Sequence, residues 1–258
     1  YVLFLHGTGI EPRHHGGYDD AIWARLHAAI VDADGLLVTT DYVRDELVRP
    51  VVDVPTDRFL VLPCGVDLVE FRPGEVGDVR AHYDLPETYV ICPGALTKVK
   101  GPQNVVAASE RYADRAETIF IGDGEDRSAL ETALGSRGRF LGFVPSDHKA
   151  WLINNATILA AGPEKKEHFG IIYVEAMAGG TPPVAYEGGG VASIVSEEVG
   201  ILTARDPAAL GDAVRALLLD APRREAMARA GRTRAESRYG HDRIVDRLAH
   251  WLTDIVAA

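Results

Sequence analysis

Glu167-His168-Phe169-Gly170-Ile171 runs into Glu175, so a Glu-x7-Glu pair straddles a glycine-bearing turn and the start of an apolar segment. If that segment is a helix, its first N–H groups have no intrahelical partner. They carry roughly half a positive charge and form a seat for an anion. The carboxylates accept hydrogen bonds from hydroxyls, which suits a polyhydroxylated ring or a ribose diol. The same spacing also fits a dipole-stabilised Glu at a helix entrance and a second Glu on an exposed face. Spacing alone leaves both readings open.

Other residues could join this chemistry. Lys100 closes a Gly94-x6-Gly101 loop and offers a compact cation of the kind that steadies phosphate, against the plainer reading of a solvated loop lysine. Gly122-Asp123-Gly124 reads as a turn first and as a ligand contact second. Lys149 fits a surface helix as well as a binding role. His6 ends an apolar run in Leu-His-Gly-Thr-Gly, where a backbone partner would satisfy it equally well, and His14 and His15 occupy the loop that follows.

Several classes of chemistry are excluded by what is missing. No Gly-x-Ser-x-Gly elbow supports the His-Gly-Thr-Gly segment as a hydrolase oxyanion loop. Neither Gly-x4-Gly-Lys-Ser/Thr nor Gly-x-Gly-x-x-Gly occurs, so no ATPase or dinucleotide fingerprint is present. Asp32-Ala-Asp34 is a literal Asp-x-Asp, but it precedes an apolar run instead of following one, and no bound metal is expected. Cys64 and Cys92 lie far apart and give neither a disulfide framework nor a zinc site. A formal net charge of −11 argues against broad nucleic-acid binding. The 47% apolar and 25% charged composition is that of an ordinary soluble protein, and no apolar run approaches membrane-span length.

The elements that must position these residues alternate between short apolar runs and helical patterns, which predicts βαβ units and parallel sheets. Strands are expected at 1–5, 35–39 and 59–62, with helices at 21–31 and 41–48. Further strands are expected at 89–93, 118–121, 139–141, 157–159, 183–185 and 200–202. The helices between them fall at 103–113, 126–134, 147–154, 171–178 and 191–195. Helices at 207–219, 223–238 and 242–256 follow. The last has an apolar stripe of Ile244, Leu248, Trp251, Leu252 and Ile255 that needs a surface to pack on. In such sheets ligands bind beyond the strand C-termini, where the glycine-bearing loops gather. A Pro/Gly break at Phe71-Arg-Pro-Gly74 divides the chain into 1–73 and 74–238, with a tail of 239–258. Tyr1 opens the chain in what reads as the interior of a fold, so the first unit is expected to be incomplete.

Taken together, the segments resemble the retaining GT-B glycosyltransferases of family 4, the group 1 glycosyl transferases. The resemblance rests on His-Phe-Gly-Ile…Glu-Ala-Met-Ala-x-Gly-x-Pro-x-Val from His168, joined by Cys64-Gly-Val-Asp67, Gly94-Ala-Leu through Lys100-Gly101, and Ile121-Gly-Asp-Gly124. Leu141-Gly-Phe-Val144 and Gly188-Gly189 match in order as well. It implies two Rossmann-like doubly wound domains: an acceptor-side domain (1–73), a nucleotide-sugar donor domain (74–238) and a helix (239–258) crossing back. It implies a retaining, metal-independent hexosyltransferase whose donor is a nucleoside-diphosphate sugar, with no further cofactor. A glycan, lipid-linked or small-molecule acceptor is expected. The implied setting is cytoplasmic, with peripheral contact at the inner membrane face.

By the same resemblance Glu167 faces the donor sugar, Glu175 the ribose and Lys100 the diphosphate. His6 lies near the anomeric centre, and Val144 and Lys149 contact the base. Gly94, Gly124, Phe169, Gly170 and Ile171 complete the donor contacts. One departure stands out: the family carries an Arg where this chain has Ala95, and Lys98 is the nearest substitute cation. A non-catalytic nucleotide-sugar-binding protein, or one half of a two-chain transferase, is the alternative.

Overall fold

The computed structural model describes residues 1–74 and 77–257; position 258, the end of the expected tail, lies outside them. Among the described residues, nine strands form two parallel sheets. The first contains β1 (Val2–Leu5), β2 (Gly35–Val38) and β3 (Phe59–Val61), in the order β1-β2-β3. The second contains β4 (Tyr89–Pro93), β5 (Glu117–Ile121), β6 (Gly138–Phe140), β7 (Ile158–Ala161), β8 (Pro183–Tyr186) and β9 (Ile201–Thr203). Its order is β6-β5-β4-β7-β8-β9. This is the doubly wound Rossmann arrangement, in which the chain reverses its direction of travel between β4 and β7.

Side chains alternate across the six-stranded sheet because successive strand residues point to opposite faces. Tyr89, Ile91, Ile119, Ile121 and Leu159 face the helices Ser146–Asn154 and Ile171–Gly179, through Trp151, Val174 and Met177. Val90, Phe120, Ile158, Ala160 and Val184 face the other way, onto Val105, Leu130, Leu210 and Val214. Burial on both faces explains why these strands read as continuous apolar runs. The first sheet has its own core of Leu36, Val38, Trp23, Ile30, Val43 and Val48.

Most elements fall where the sequence places them. The 41–48 helix is instead a π-helical turn, Val43–Val48, and Glu11–His14 and Val79–His82 form short helical turns the sequence did not announce. The tail helix, His241–Ala257, lies over the first sheet. A Cβ on Gly35 would come within 2.6 Å of both Ile255 and Trp251, and Arg247 donates to the Val61 carbonyl at 2.8 Å. Its apolar stripe is only half-buried. Among the described residues, no helix is long and apolar enough to cross a membrane.

Candidate functional site

The loops after β4 and β7 meet at the point where the strand order reverses. There they enclose a cavity of about 300 Å³ lined by Cys92, Gly94–Leu96, Lys100, Ala161, Glu167 and Phe169–Tyr173. A short 3₁₀ turn, Lys98–Lys100, ends at Gly101, which has φ +71°. A Cβ there would stand 1.9 Å from the Gly162 carbonyl oxygen, so only glycine lets the two loops touch. Glu164 N–H donates to Val99 O at 3.1 Å, and Asn104 Nδ2 donates to Gly162 O at 2.7 Å and to Glu164 at 3.0 Å. This backbone stitching holds Glu167 over Lys100. Nζ donates to Glu167 Oε1 at 3.0 Å, with the lysine 50% exposed and the glutamate 23%. A pair this wet contributes little stability by itself.

Gly170, at φ +93°, turns the chain into the helix Ile171–Gly179. That helix points its N-terminus into the cavity, which Ile171 and Ile172 line. One and a half turns in, Glu175 is 8% exposed and accepts from Lys149 Nζ at 2.7 Å through Oε1. Its Oε2 is buried without a hydrogen-bond partner. A buried carboxylate oxygen left unpaired is costly, and a hydroxyl pair brought to it would remove that cost. Lys149 also stands 5.6 Å above the Phe71 ring.

A second cavity, of about 290 Å³, adjoins the first across Pro93, Gly94 and Ala95 and is closed by Gly122, Asp123, Phe143, Val144 and Lys149. Asp123 accepts from Gly124 N–H at 2.8 Å and Arg127 at 2.9 Å, and these two donors hold its carboxyl below the usual range. Gly124 packs on the Leu96 carbonyl, so it shapes the loop floor without lining either cavity.

Lys100, Glu167, Gly94, Phe169, Gly170 and Ile171 therefore share one cavity and Val144 and Lys149 share its neighbour, with Glu175 joined to Lys149. His6 lines neither: it is exposed and stacks on Phe4 at 3.9 Å between ring centroids. His14 is exposed and donates from Nε2 to the Leu47 carbonyl, 2.8 Å away, on the side of the first sheet.

Two features went unread in the sequence. Cys92 lines the cavity and Cys64 faces it; burial pushes the Cys92 thiol up to about 12 and raises Cys64 too, so both stay neutral apolar wall. Their positions at the C-terminal ends of strand-like runs were the available signal. His168, between Glu167 and Phe169, reaches across to the first sheet. Its carbonyl accepts from Thr40 Oγ1 at 2.8 Å. Its Nε2 stands 3.2 Å from buried Glu11, outside hydrogen-bonding angles, and Lys165 reaches the same carboxylate at 2.7 Å. Nothing in the local pattern pairs Glu11 with a loop so far along the chain.

A cavity at the crossover of a doubly wound domain, set beside a second parallel sheet, defines a GT-B glycosyltransferase fold. Solved structures with this fold agree. Sucrose-phosphate synthase from Thermosynechococcus elongatus superposes with TM-score 0.84 at 23% identity, covering 99% of this chain and 68% of that one. Anabaena HepE in complex with UDP and glucose does so with TM-score 0.83 at 19% identity, covering 98% and 71%. Residues 80–234 match the family described as Glycosyl transferases group 1, and the chain belongs to it. Among curated relatives, the D-inositol 3-phosphate glycosyltransferase of Xylanimonas cellulosilytica is 32% identical over 83% of this chain and 55% of the relative. A second such enzyme, from Catenulispora acidiphila, is 32% identical over 96% of this chain and 64% of its own length. The chain thus spans less than two thirds of either relative.

Proposed function

We propose that this chain carries the donor side of a retaining hexosyltransferase that moves a hexose from a nucleoside-diphosphate sugar to an acceptor hydroxyl, without a metal. The observation that carries the reading is the convergence of Lys100, Glu167 and the Ile171 helix N-terminus on one cavity at the strand crossover. In this reading the helix N–H groups and the Lys100 ammonium hold the diphosphate and stabilise the charge that grows on it as its bond to the sugar breaks. Glu167 orients the sugar hydroxyls. Glu175 takes the ribose hydroxyls on its unpartnered oxygen, and the base enters the neighbouring cavity against Val144. His6 completes the anomeric side when the first sheet approaches. HepE in complex with UDP and glucose supports a uridine diphosphate donor here. The relatives named for D-inositol 3-phosphate support a small phosphorylated polyol as acceptor.

Calorimetry with UDP, GDP and ADP tests the donor assignment. UDP is expected to bind and Lys100→Ala to weaken it. No heat with any of the three would remove the donor assignment altogether. A second reading, a donor-binding protein without transfer activity, is favoured by Ala95, which lines both cavities where the family pattern has a cation. Losing one positioned donor at such a site costs about 3 kcal/mol of transition-state stabilisation. Transfer of labelled sugar to any acceptor by this protein would exclude that second reading.

A further inference from the structure

A cavity about twice the volume of the donor cavity lies apart from it. It measures about 610 Å³ and lies where the first sheet, the donor domain and the tail helix meet. Thr39 and Thr40 at the end of β2, Ser193 in the donor domain and Ser237 near the end of Ala221–Arg238 bring hydroxyls to it. Arg238, Arg243 and Arg247 bring three guanidinium groups. Phe169 is the wall it shares with the donor cavity.

We propose that this cavity is a binding site, separate from the donor site, for a small phosphate monoester. Three observations carry it. First, the lining is locally basic in a protein of formal net charge −11: three arginines face two carboxylates, and one of those, Asp41, is already engaged by Arg44 at 2.8 Å. Second, among the described residues Arg238 and Arg243 make no ion pair, while Arg247 is oriented by its hydrogen bond to the Val61 carbonyl. Third, Thr39 is 2% exposed and its Oγ1 is buried without a hydrogen-bond partner. A buried hydroxyl is satisfied in almost every folded protein, so an orphan on a cavity wall points to a polar ligand. Guanidinium forks match the oxygens of a phosphate, and the Thr39 hydroxyl is left as a donor, while those of Thr40, Ser193 and Ser237 already donate to the His168, Gly190 and Arg234 carbonyls. The ester's organic part would lie along Val61, Pro63, Ile194 and Tyr239. Because the lining comes from both sheets and the tail helix, such a ligand would also bind the two sheets together.

The proposal does not rest on the transferase reading and is tested apart from it. Glycerol 3-phosphate and inorganic phosphate are titrated into the protein by calorimetry, with and without saturating UDP. Binding that persists under UDP and weakens on the order of tenfold or more in Arg243→Ala and Arg238→Ala supports the site. Both arginines are exposed, so the variants should fold, and a thermal midpoint equal to wild type reports that they have. Thr39→Val should weaken the same binding with a smaller fold-change. Displacement of the phosphate ester by UDP, equal affinity in wild type and arginine variants, or no binding at millimolar concentration would each overturn the proposal.

Discussion

Among the described residues Glu167 makes one side-chain hydrogen bond, to Lys100, and that bond is wet enough to exchange for a ligand. Glu167→Ala should therefore leave the fold intact and lower transfer turnover tenfold or more, a barrier increase of about 1.4 kcal/mol. A rate equal to wild type in a labelled-sugar assay would take Glu167 out of the site. At this scale the sequence was informative because charged residues in a glycine-bearing loop have few structural jobs. Lys149 read equally well as a surface helix residue. Its role depends on Glu175, 26 positions away, which only the packing of Ser146–Asn154 on Ile171–Gly179 brings within 2.7 Å. Glu11 and His168 were illegible for the same reason, since neither carries a local pattern that names its partner.

The loops depend on backbone contact more than on side chains. Gly101 combines a positive φ with carbonyl oxygen at 1.9 Å from where a Cβ would go, and that atom is backbone and cannot swing aside. Gly101→Ala should push the loops after β4 and β7 apart and cost roughly 2 kcal/mol or more. It should also weaken UDP binding, because Lys100 and Glu167 ride on the two loops. Chemical denaturation and calorimetry on the same variant check both effects; an unchanged midpoint would show that the loops do not need this contact. The strands were legible because β4, β5, β7 and β8 are buried on both faces and so appear as unbroken apolar runs. The π-helical turn Val43–Val48 was not, since hydrophobic spacing over six residues does not separate it from an α-helix.

The whole molecule is two sheets joined by two seams. One is the tail helix, whose stripe of Ile244, Leu248, Trp251, Leu252 and Ile255 is half-covered. Leu248→Glu should loosen it by about 1–2 kcal/mol, lowering the thermal midpoint, and no change would show that this stripe does not hold the sheets. The other seam is the loop carrying His168, which meets Gly7, Glu11 and Thr40 of the first sheet. Burial is the largest influence on His168 and lowers its pKa below the ordinary 6.5. The Glu11 and Glu167 carboxylates pull the other way, and the Lys165 ammonium adds to the lowering. A lowered imidazole pKa means that the unfolded chain takes up the proton first. The seam is then fully stable above about pH 6.5 and is progressively lost as pH falls from there through the folded-state pKa. Wild type should consequently lose more thermal stability than His168→Gln between pH 7.5 and pH 5.5, because glutamine keeps a polar group facing Glu11 without titrating. Parallel curves for the two proteins would mean that protonation of His168 does not open the seam between the sheets.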